Sequence, residues 1–111
     1  MIDLYKYFNQ VRIFDGGMGQ ELLARGVKQI SNLWSASALI QEEYHKTVID
    51  THLDFINAGA EVILTNTFGA RMKRCEECNI VEKFEFMNKT AVLLAKNCLL
   101  YTSDAADDGY R

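Results

Sequence analysis

A carboxylate followed by glycines is the feature of this sequence best suited to bind a small ligand. Asp15-Gly16-Gly17-Met18-Gly19 lies where a predicted strand, residues 11–15, is followed by a predicted helix, residues 18–25, which Gly26 ends. Glycines let a ligand approach the backbone, and the start of a helix offers N–H groups to an anion. The carboxylate of Asp15 suits a cation instead. Amide donors beside a carboxylate match the two ends of an amino-acid zwitterion.

The same residues also allow a purely structural interpretation. A Gly-Gly pair after a strand can form a tight turn, and Asp15 can cap the following helix. A dinucleotide site is disfavoured because the position three residues after Gly19 is Leu22, so the G-x-G-x-x-G spacing fails. A ligand turn and a capped helix start therefore both remain open on local chemistry.

A second polar motif, Thr65-Asn66-Thr67-Phe68-Gly69, follows a predicted strand at residues 61–66. The consecutive Val-Ile-Leu at 62–64 is typical of a parallel strand that is covered on both faces. If the two strands are parallel, this motif lies at the same edge as Asp15 and supplies the rim of a pocket. Alternatively, Asn66 and Thr67 only satisfy backbone groups of the loop.

Two amphipathic helices are predicted at residues 41–58 and 81–96, and Gly59 ends the first. The apolar face of the first comprises Tyr44, Val48, Ile49, His52, Phe55 and Ile56, and that of the second Phe84, Met87, Ala91, Leu94 and Ala95. The order strand–helix–helix–strand–helix predicts an α/β fold with a parallel sheet. Two strands do not complete such a sheet, which indicates the opening part of a larger fold.

The cysteines and histidines give weaker signals. Cys75-Glu76-Glu77-Cys78 supplies two of the four ligands that zinc needs, and no second pair follows. We therefore interpret these cysteines as incidental thiols and predict no metal site. His52 lies within the apolar face of its helix, which favours a hydrogen-bonded core histidine over a catalytic one.

Composition narrows the class of protein. The 111 residues carry a net charge of −3 with a pI near 5.3, and no basic patch is present, which argues against a nucleic-acid partner. The apolar runs are too short for a transmembrane helix, so no membrane partner is predicted. Three cysteines without a secretion signal indicate a reducing compartment, and we predict a cytoplasmic location.

The last fourteen residues are predicted to lie outside the domain. Residues 98–108 resemble a one-frame translation of a transposon-type sequencing adapter, which would make the tail a library scar. The alternative is a genuine polar C-terminal tail. We predict a domain at residues 1–97 and a non-native tail at residues 98–111.

Four segments together resemble the homocysteine S-methyltransferase family, in that family's order and spacing. They are residues 13–22 (IFDGGMGQEL), 33–36 (LWSA), 52–60 (HLDFINAGA) and 65–68 (TNTF). The LWSA segment is most similar to the members that use S-methylmethionine. Gly69 differs from the aromatic residue of the betaine-dependent members, which argues against a betaine donor.

The resemblance implies a fold and a substrate site. Family members fold as a (β/α)₈ TIM barrel, so the chain is expected to be the N-terminal, incomplete portion of one, with its first two strands. The partners would be homocysteine and a methyl donor. The residues that match the family's homocysteine site are Asp15, Gly16, Gly17, Met18, Thr67 and Phe68.

The resemblance also implies a reaction and a cofactor. The parent enzyme would transfer a methyl group from S-methylmethionine or S-adenosylmethionine to homocysteine, giving methionine. Family members hold zinc with three cysteine thiolates that include a Gly-Gly-Cys-Cys run, and this run is absent here. We therefore assign no catalytic residue and expect the fragment itself to be inactive. The alternative is a small non-catalytic α/β domain that binds an amino acid or a protein.

Overall fold

Helices dominate the computed structural model, which describes residues 3–107. The α-helices are α1 Leu4–Tyr7, α2 Met18–Ala24, α3 Ser37–Ile40, α4 His45–Asn57, α5 Met72–Glu77 and α6 Phe84–Asp107. Short 3₁₀ segments occupy Ser31–Ala36, Glu42–Tyr44 and Val81–Lys83. None of the helices in the described range is long and apolar enough to cross a membrane.

The prediction of an α/β fold, as the N-terminal portion of a (β/α)₈ barrel, is wrong for the structure that this chain adopts. Residues 3–107 contain no strand, and the two segments predicted as strands meet at one parallel bridge between Phe14 and Val62. Ile13 and Leu64 are each 58% exposed. A parallel strand needs further strands and helices that cover it, and two extended segments alone do not supply them.

The two long helices were predicted correctly from their periodicity, and they form the core together. α4 packs against both α6 and α2, and α6 also contacts α3. On α6, Met87, Ala91, Leu94 and Ala95 are buried and Phe84 packs against the core, as expected. On α4, Val48, Thr51 and His52 are fully buried. The polar loops pack against the core that these helices form.

Two glycines end helices where the sequence predicted them to do so. Gly26 follows α2 with φ of +92°, and Gly59 follows α4 with φ of +117°. Both are left-handed conformations that side chains with a Cβ rarely adopt. They turn the chain out of each helix toward the next segment.

The predicted domain boundary after Asn97 falls inside α6. The helix continues to Asp107, and the Cys98 side chain is buried with its thiol 3.5 Å from the carbonyl oxygen of Ile49. The division into residues 1–97 and 98–111 stays a prediction. Cys98, the first residue of the predicted tail, contacts α4.

Truncation after Cys98 tests the tail. The deleted residues are polar and rich in Asp and Ala, so we expect the free energy of unfolding to change by less than about 1 kcal/mol. Urea denaturation of the two chains measures this. The variant Cys98→Ala in the full chain reports separately on the buried side chain at the boundary. A loss of several kcal/mol on truncation would show that the tail belongs to the fold.

Candidate functional site

The predicted ligand motif opens onto a cleft of about 420 Å³. The cleft lies between the start of α2, the 3₁₀ segment Ser31–Ala36 and the loop that follows Val62. Its lining residues are Asp15, Gly16, Gly17, Met18, Gly19, Gln20, Leu23, Gln29, Trp34, Ser35, Leu64, Thr65, Asn66 and Phe68. Five of the six predicted site residues thus line one cleft. A cleft of this size accommodates a small molecule.

Asp15 is held at the junction of the two extended segments. Its backbone N–H donates to the carbonyl oxygen of Val62 at 3.0 Å. Its carboxylate oxygen Oδ2 accepts from the backbone N–H of Leu64, also at 3.0 Å. The other carboxylate oxygen, Oδ1, is buried and has no hydrogen-bond partner among the described residues. Because Oδ2 is tied to the backbone, the carboxylate is held in one orientation at the wall of the cleft.

The glycine turn brings the backbone close to α4 on one side and leaves it open on the other. A Cβ placed on Gly16 would lie 3.0 Å from the Phe55 ring, whereas a Cβ on Gly17 would have no neighbour closer than 3.8 Å. A side chain on Gly16 would therefore crowd the Phe55 ring. Gly17 leaves room beside the cleft for a ligand.

The motif at residues 65–69 is divided between the cleft and the loop itself. Thr65 and Phe68 line the cleft, and Phe68 is 76% exposed with the guanidinium of Arg71 5.0 Å from its ring centre. Thr67 does not line the cleft, and its hydroxyl lies 3.0 Å from that of Thr65. The roles of Thr67 and Phe68 in substrate binding stay predictions.

The Asn66 side chain forms a hydrogen bond with the backbone, which is the structural alternative to a ligand role. It is 3% exposed, and its side-chain amide donates to the carbonyl oxygen of Ser35 at 3.0 Å. Nearby, Gly69 lies so close to Leu33 that a Cβ on it would be 2.3 Å from the Leu33 carbonyl oxygen. These two contacts fix the loop against the 3₁₀ segment that carries Trp34.

Trp34 is a cleft residue whose role the sequence did not decide. Its φ of +56° and ψ of −131° interrupt the 3₁₀ segment, and its side chain is 56% exposed. A positive φ is uncommon for a residue with a large side chain and is often found at functional sites. In the sequence, only its position in the LWSA segment indicated that Trp34 could belong to the site. Gln20, Ser35 and Gln29 also line the cleft. The first two lie within the IFDGGMGQEL and LWSA segments, and no sequence motif contains Gln29.

His52 is a core residue, as predicted, but the predicted hydrogen bond is absent. The side chain is fully buried, and neither ring nitrogen has a partner within the described part of the chain. Burial lowers the pKa of His52, and the negative charge of Asp15 opposes that shift. His52 is therefore held neutral beneath the cleft.

The cysteines do not fit the zinc that the family resemblance implies. Residues 3–107 contain no group of three or more His, Cys, Asp or Glu side chains that could hold a metal. Cys75 is fully buried in α5, and burial raises the pKa of its thiol, which disfavours the thiolate that binds zinc.

The contact of Gly69 with Leu33 predicts a sensitive position. Gly69→Ala would place a methyl group against a backbone oxygen that cannot move aside, and we expect a loss of about 1–3 kcal/mol in the free energy of unfolding. Gly19→Ala is the matched control, because its nearest neighbour would be the Ser35 Cβ at 3.6 Å. Chemical denaturation compares the two. Equal stabilities of the two variants would contradict the packing described here.

The lowered pKa of His52 predicts a pH dependence of stability. The unfolded imidazole takes up a proton near its ordinary pKa of about 6.5, while the folded one resists protonation. The stability is therefore complete above that pH and is lost as the pH falls toward the lowered pKa of the folded state. We expect His52→Gln to lose less stability than the wild type between about pH 7.5 and about pH 5.5 in urea denaturation.

His45→Gln serves as the control for this measurement, because His45 is the other histidine of the chain. Its ring lies 2.8 Å from the carbonyl oxygen of Leu39 and remains partly exposed. If His52→Gln and the wild type lose the same stability over this range, the assignment of the acid sensitivity to His52 is wrong.

The family model and the similar proteins found by comparison point to the same family. The model of the family described as homocysteine S-methyltransferase matches residues 12–106. Homocysteine S-methyltransferase 2 of Saccharomyces cerevisiae is 30% identical over 101 residues, covering 81% of this chain and 31% of that protein. S-methylmethionine–homocysteine S-methyltransferase BHMT2 of Rattus norvegicus is 36% identical over 87 residues, covering 78% of this chain and 22% of that protein.

A third relative is named for a selenium substrate. Selenocysteine Se-methyltransferase of Brassica oleracea var. italica is 30% identical over 96 residues, covering 86% of this chain and 27% of that protein. No solved structure gives a significant match. The chain spans less than a third of the length of these relatives. Because the family model covers most of the sequence, including the turn at Asp15 and the loop at Phe68, the chain belongs to the homocysteine S-methyltransferase family.

Proposed function

We propose that this chain carries the homocysteine-binding part of a methyltransferase, which moves a methyl group from a sulfonium donor to homocysteine and gives methionine. The observation that carries the proposal is the carboxylate of Asp15, which is fixed by Leu64 at one oxygen and lacks a protein partner at the other. It stands beside a glycine turn in a cleft. Membership of the family supplies the reaction class.

Each end of the amino acid has a complement in the cleft. The ammonium group of homocysteine binds the Asp15 carboxylate through a charge-assisted hydrogen bond. The homocysteine carboxylate approaches the backbone amides of the turn at Gly16 and Gly17, because Gly17 places no side chain there. Met18 and Phe68 line the cleft and supply apolar surface for the thioalkyl chain.

The proposed reaction is a single displacement at carbon. The homocysteine sulfur forms a new bond to the methyl carbon, while the bond from that carbon to the sulfonium sulfur of the donor breaks. The electron pair of the broken bond neutralises the donor sulfur, and the proton of the homocysteine thiol is released to solvent. With S-methylmethionine as donor, both products are methionine. The protein accelerates the step by orienting the two sulfur centres in line.

A sulfonium donor is favoured by two observations. The LWSA segment is most similar to members that use S-methylmethionine, and one relative carries that donor in its name. Gly69 has no room for the aromatic residue of betaine-dependent members, since even a Cβ there would meet the Leu33 carbonyl oxygen at 2.3 Å. S-methylmethionine and S-adenosylmethionine are both sulfonium compounds, so either is consistent with these observations.

The acceptor site recognises the amino-acid end, which a selenium analogue shares. A selenol acceptor presents the same ammonium and carboxylate groups to Asp15 and the glycine turn. The name of the Brassica oleracea relative shows that this family includes such a substrate. Because the chain spans under a third of its relatives, we expect it to bind the acceptor without turnover.

Two substitutions test the binding site in the 111-residue chain. Asp15→Asn keeps the shape of the side chain but removes its charge, and we expect homocysteine affinity to fall about ten- to hundredfold. Gly17→Val should abolish binding, because the branched side chain would fill the ligand's space while meeting no protein atom closer than 3.8 Å at its Cβ. Calorimetric titration with homocysteine gives both affinities.

Asp50→Asn is the control, because Asp50 lies on α4 and pairs with Lys46 at 2.9 Å outside the cleft. It should bind homocysteine as the wild type does. Equal binding by Asp15→Asn and the wild type would reduce Asp15 to a structural residue. Failure of the wild-type chain to bind any amino acid would overturn the proposed function for this chain.

A further inference from the structure

Two buried polar groups beneath the cleft lack partners, and they lie on elements that pack against each other. Among the described residues, the buried side-chain atoms without a hydrogen-bond partner are Asp15 Oδ1 and the two ring nitrogens of His52. A buried polar atom without a partner costs free energy comparable to a lost hydrogen bond, so such atoms are rare. That all of them fall on these two residues calls for one explanation.

The packing of α4 against the glycine turn brings the two residues together. The Phe55 ring lies where a Cβ on Gly16 would approach it to 3.0 Å, so α4 is in direct contact with the residue after Asp15. His52 precedes Phe55 by three positions and thus lies on the same side of α4. The charge that acts on the His52 ring is that of Asp15.

We propose that His52 is the positioning residue for Asp15, with a ring N–H linked to Asp15 Oδ1 through one bridging water molecule. No direct hydrogen bond joins the two groups, so the link that we propose runs through water. A buried water needs at least two polar partners, and these two residues supply them. The neutral imidazole donates and the carboxylate accepts, so no charge is buried in addition to that of Asp15.

The consequence is a carboxylate that is fixed from two sides. Leu64 N–H holds Oδ2 from the second extended segment, and His52 holds Oδ1 from α4 below. In the proposed function, on which this consequence for substrate rests, the ammonium group of homocysteine then meets an oriented carboxylate rather than a mobile one. Such preorganisation increases affinity because less freedom is lost on binding.

The first test measures the pair without any substrate. In the ¹⁵N-labelled 111-residue chain, the His52 ring is titrated by NMR in the wild type, Asp15→Asn and Asp50→Asn. Removing the Asp15 charge should lower the pKa of His52 further, because that charge opposes the effect of burial. Asp50→Asn removes an exposed charge two residues away on α4 and should leave the His52 titration as it is. Equal His52 titrations in the wild type and Asp15→Asn would overturn the pair.

The second test asks whether His52 positions the carboxylate. The readout is hydrogen exchange of the Leu64 amide, whose N–H donates to Asp15. His52→Leu removes both ring nitrogens and should increase Leu64 exchange at least tenfold, and His52→Gln, which keeps a side-chain N–H, should restore part of the protection. Thr51→Val is the matched control, since Thr51 is also fully buried on α4 and donates to Thr47. Unchanged Leu64 exchange in a folded His52→Leu chain would overturn the positioning role.

Homocysteine titration of the same variants separates this inference from the proposed function. If the wild type binds homocysteine, His52→Leu should bind it several-fold more weakly and His52→Gln should lie between them. Equal affinities would overturn the consequence for substrate. If the wild type does not bind homocysteine, the proposed function fails, and the two NMR measurements alone decide whether His52 positions Asp15.

Discussion

The short contact between residues 13–15 and residues 61–64 is the constraint on which the rest of the structure depends. It consists of the parallel bridge between Phe14 and Val62, the backbone bonds around it, and the bond from Leu64 N–H to the Asp15 carboxylate. Closing a loop of nearly fifty residues costs entropy that the backbone bonds alone offset poorly. The charged acceptor makes the last of these bonds stronger than a neutral one. A residue proposed to bind substrate thus also joins the two halves of the site.

The remaining walls of the cleft are set by close packing rather than by polar contacts. The Phe55 ring packs closely on Gly16, and the Leu33 carbonyl lies so close to Gly69 that no Cβ fits there. Asn66 then ties the loop to Ser35. These contacts hold the backbone of Trp34 in its positive-φ conformation, whose strain the surrounding structure must compensate. The cleft is consequently bounded by close contacts near Gly16 and Asn66 and is exposed at Phe68 and Trp34.

In the proposed function, recognition of the acceptor is separate from the chemistry at sulfur. The proposed groups on this chain complement an ammonium and a carboxylate, which every amino-acid acceptor carries, and they would make no distinction between a thiol and a selenol. The relatives include enzymes named for homocysteine and for selenocysteine.

The sequence by itself determined the helices and the location of the cleft. The periodicity of α4 and α6 predicted their buried faces, and glycines at 26 and 59 marked helix ends, because helical hydrogen bonds and caps are local. The motif at Asp15 predicted the turn that lines the cleft, since carboxylates and glycines have few roles at a loop-to-helix junction. The resemblance added Phe68, which also lines it.

The tertiary structure alone decided the strands, the fate of the polar side chains and the state of His52. Residues 61–66 have the composition of a buried strand, yet a strand exists only where neighbours pair with it and cover it, and here a single bridge forms. Whether Asn66 faces a ligand or Ser35, and whether His52 finds a hydrogen-bond partner, depends on residues far away in sequence. Periodicity reports that a side chain is buried, and only the packing of α4 against the glycine turn determines what it is buried against.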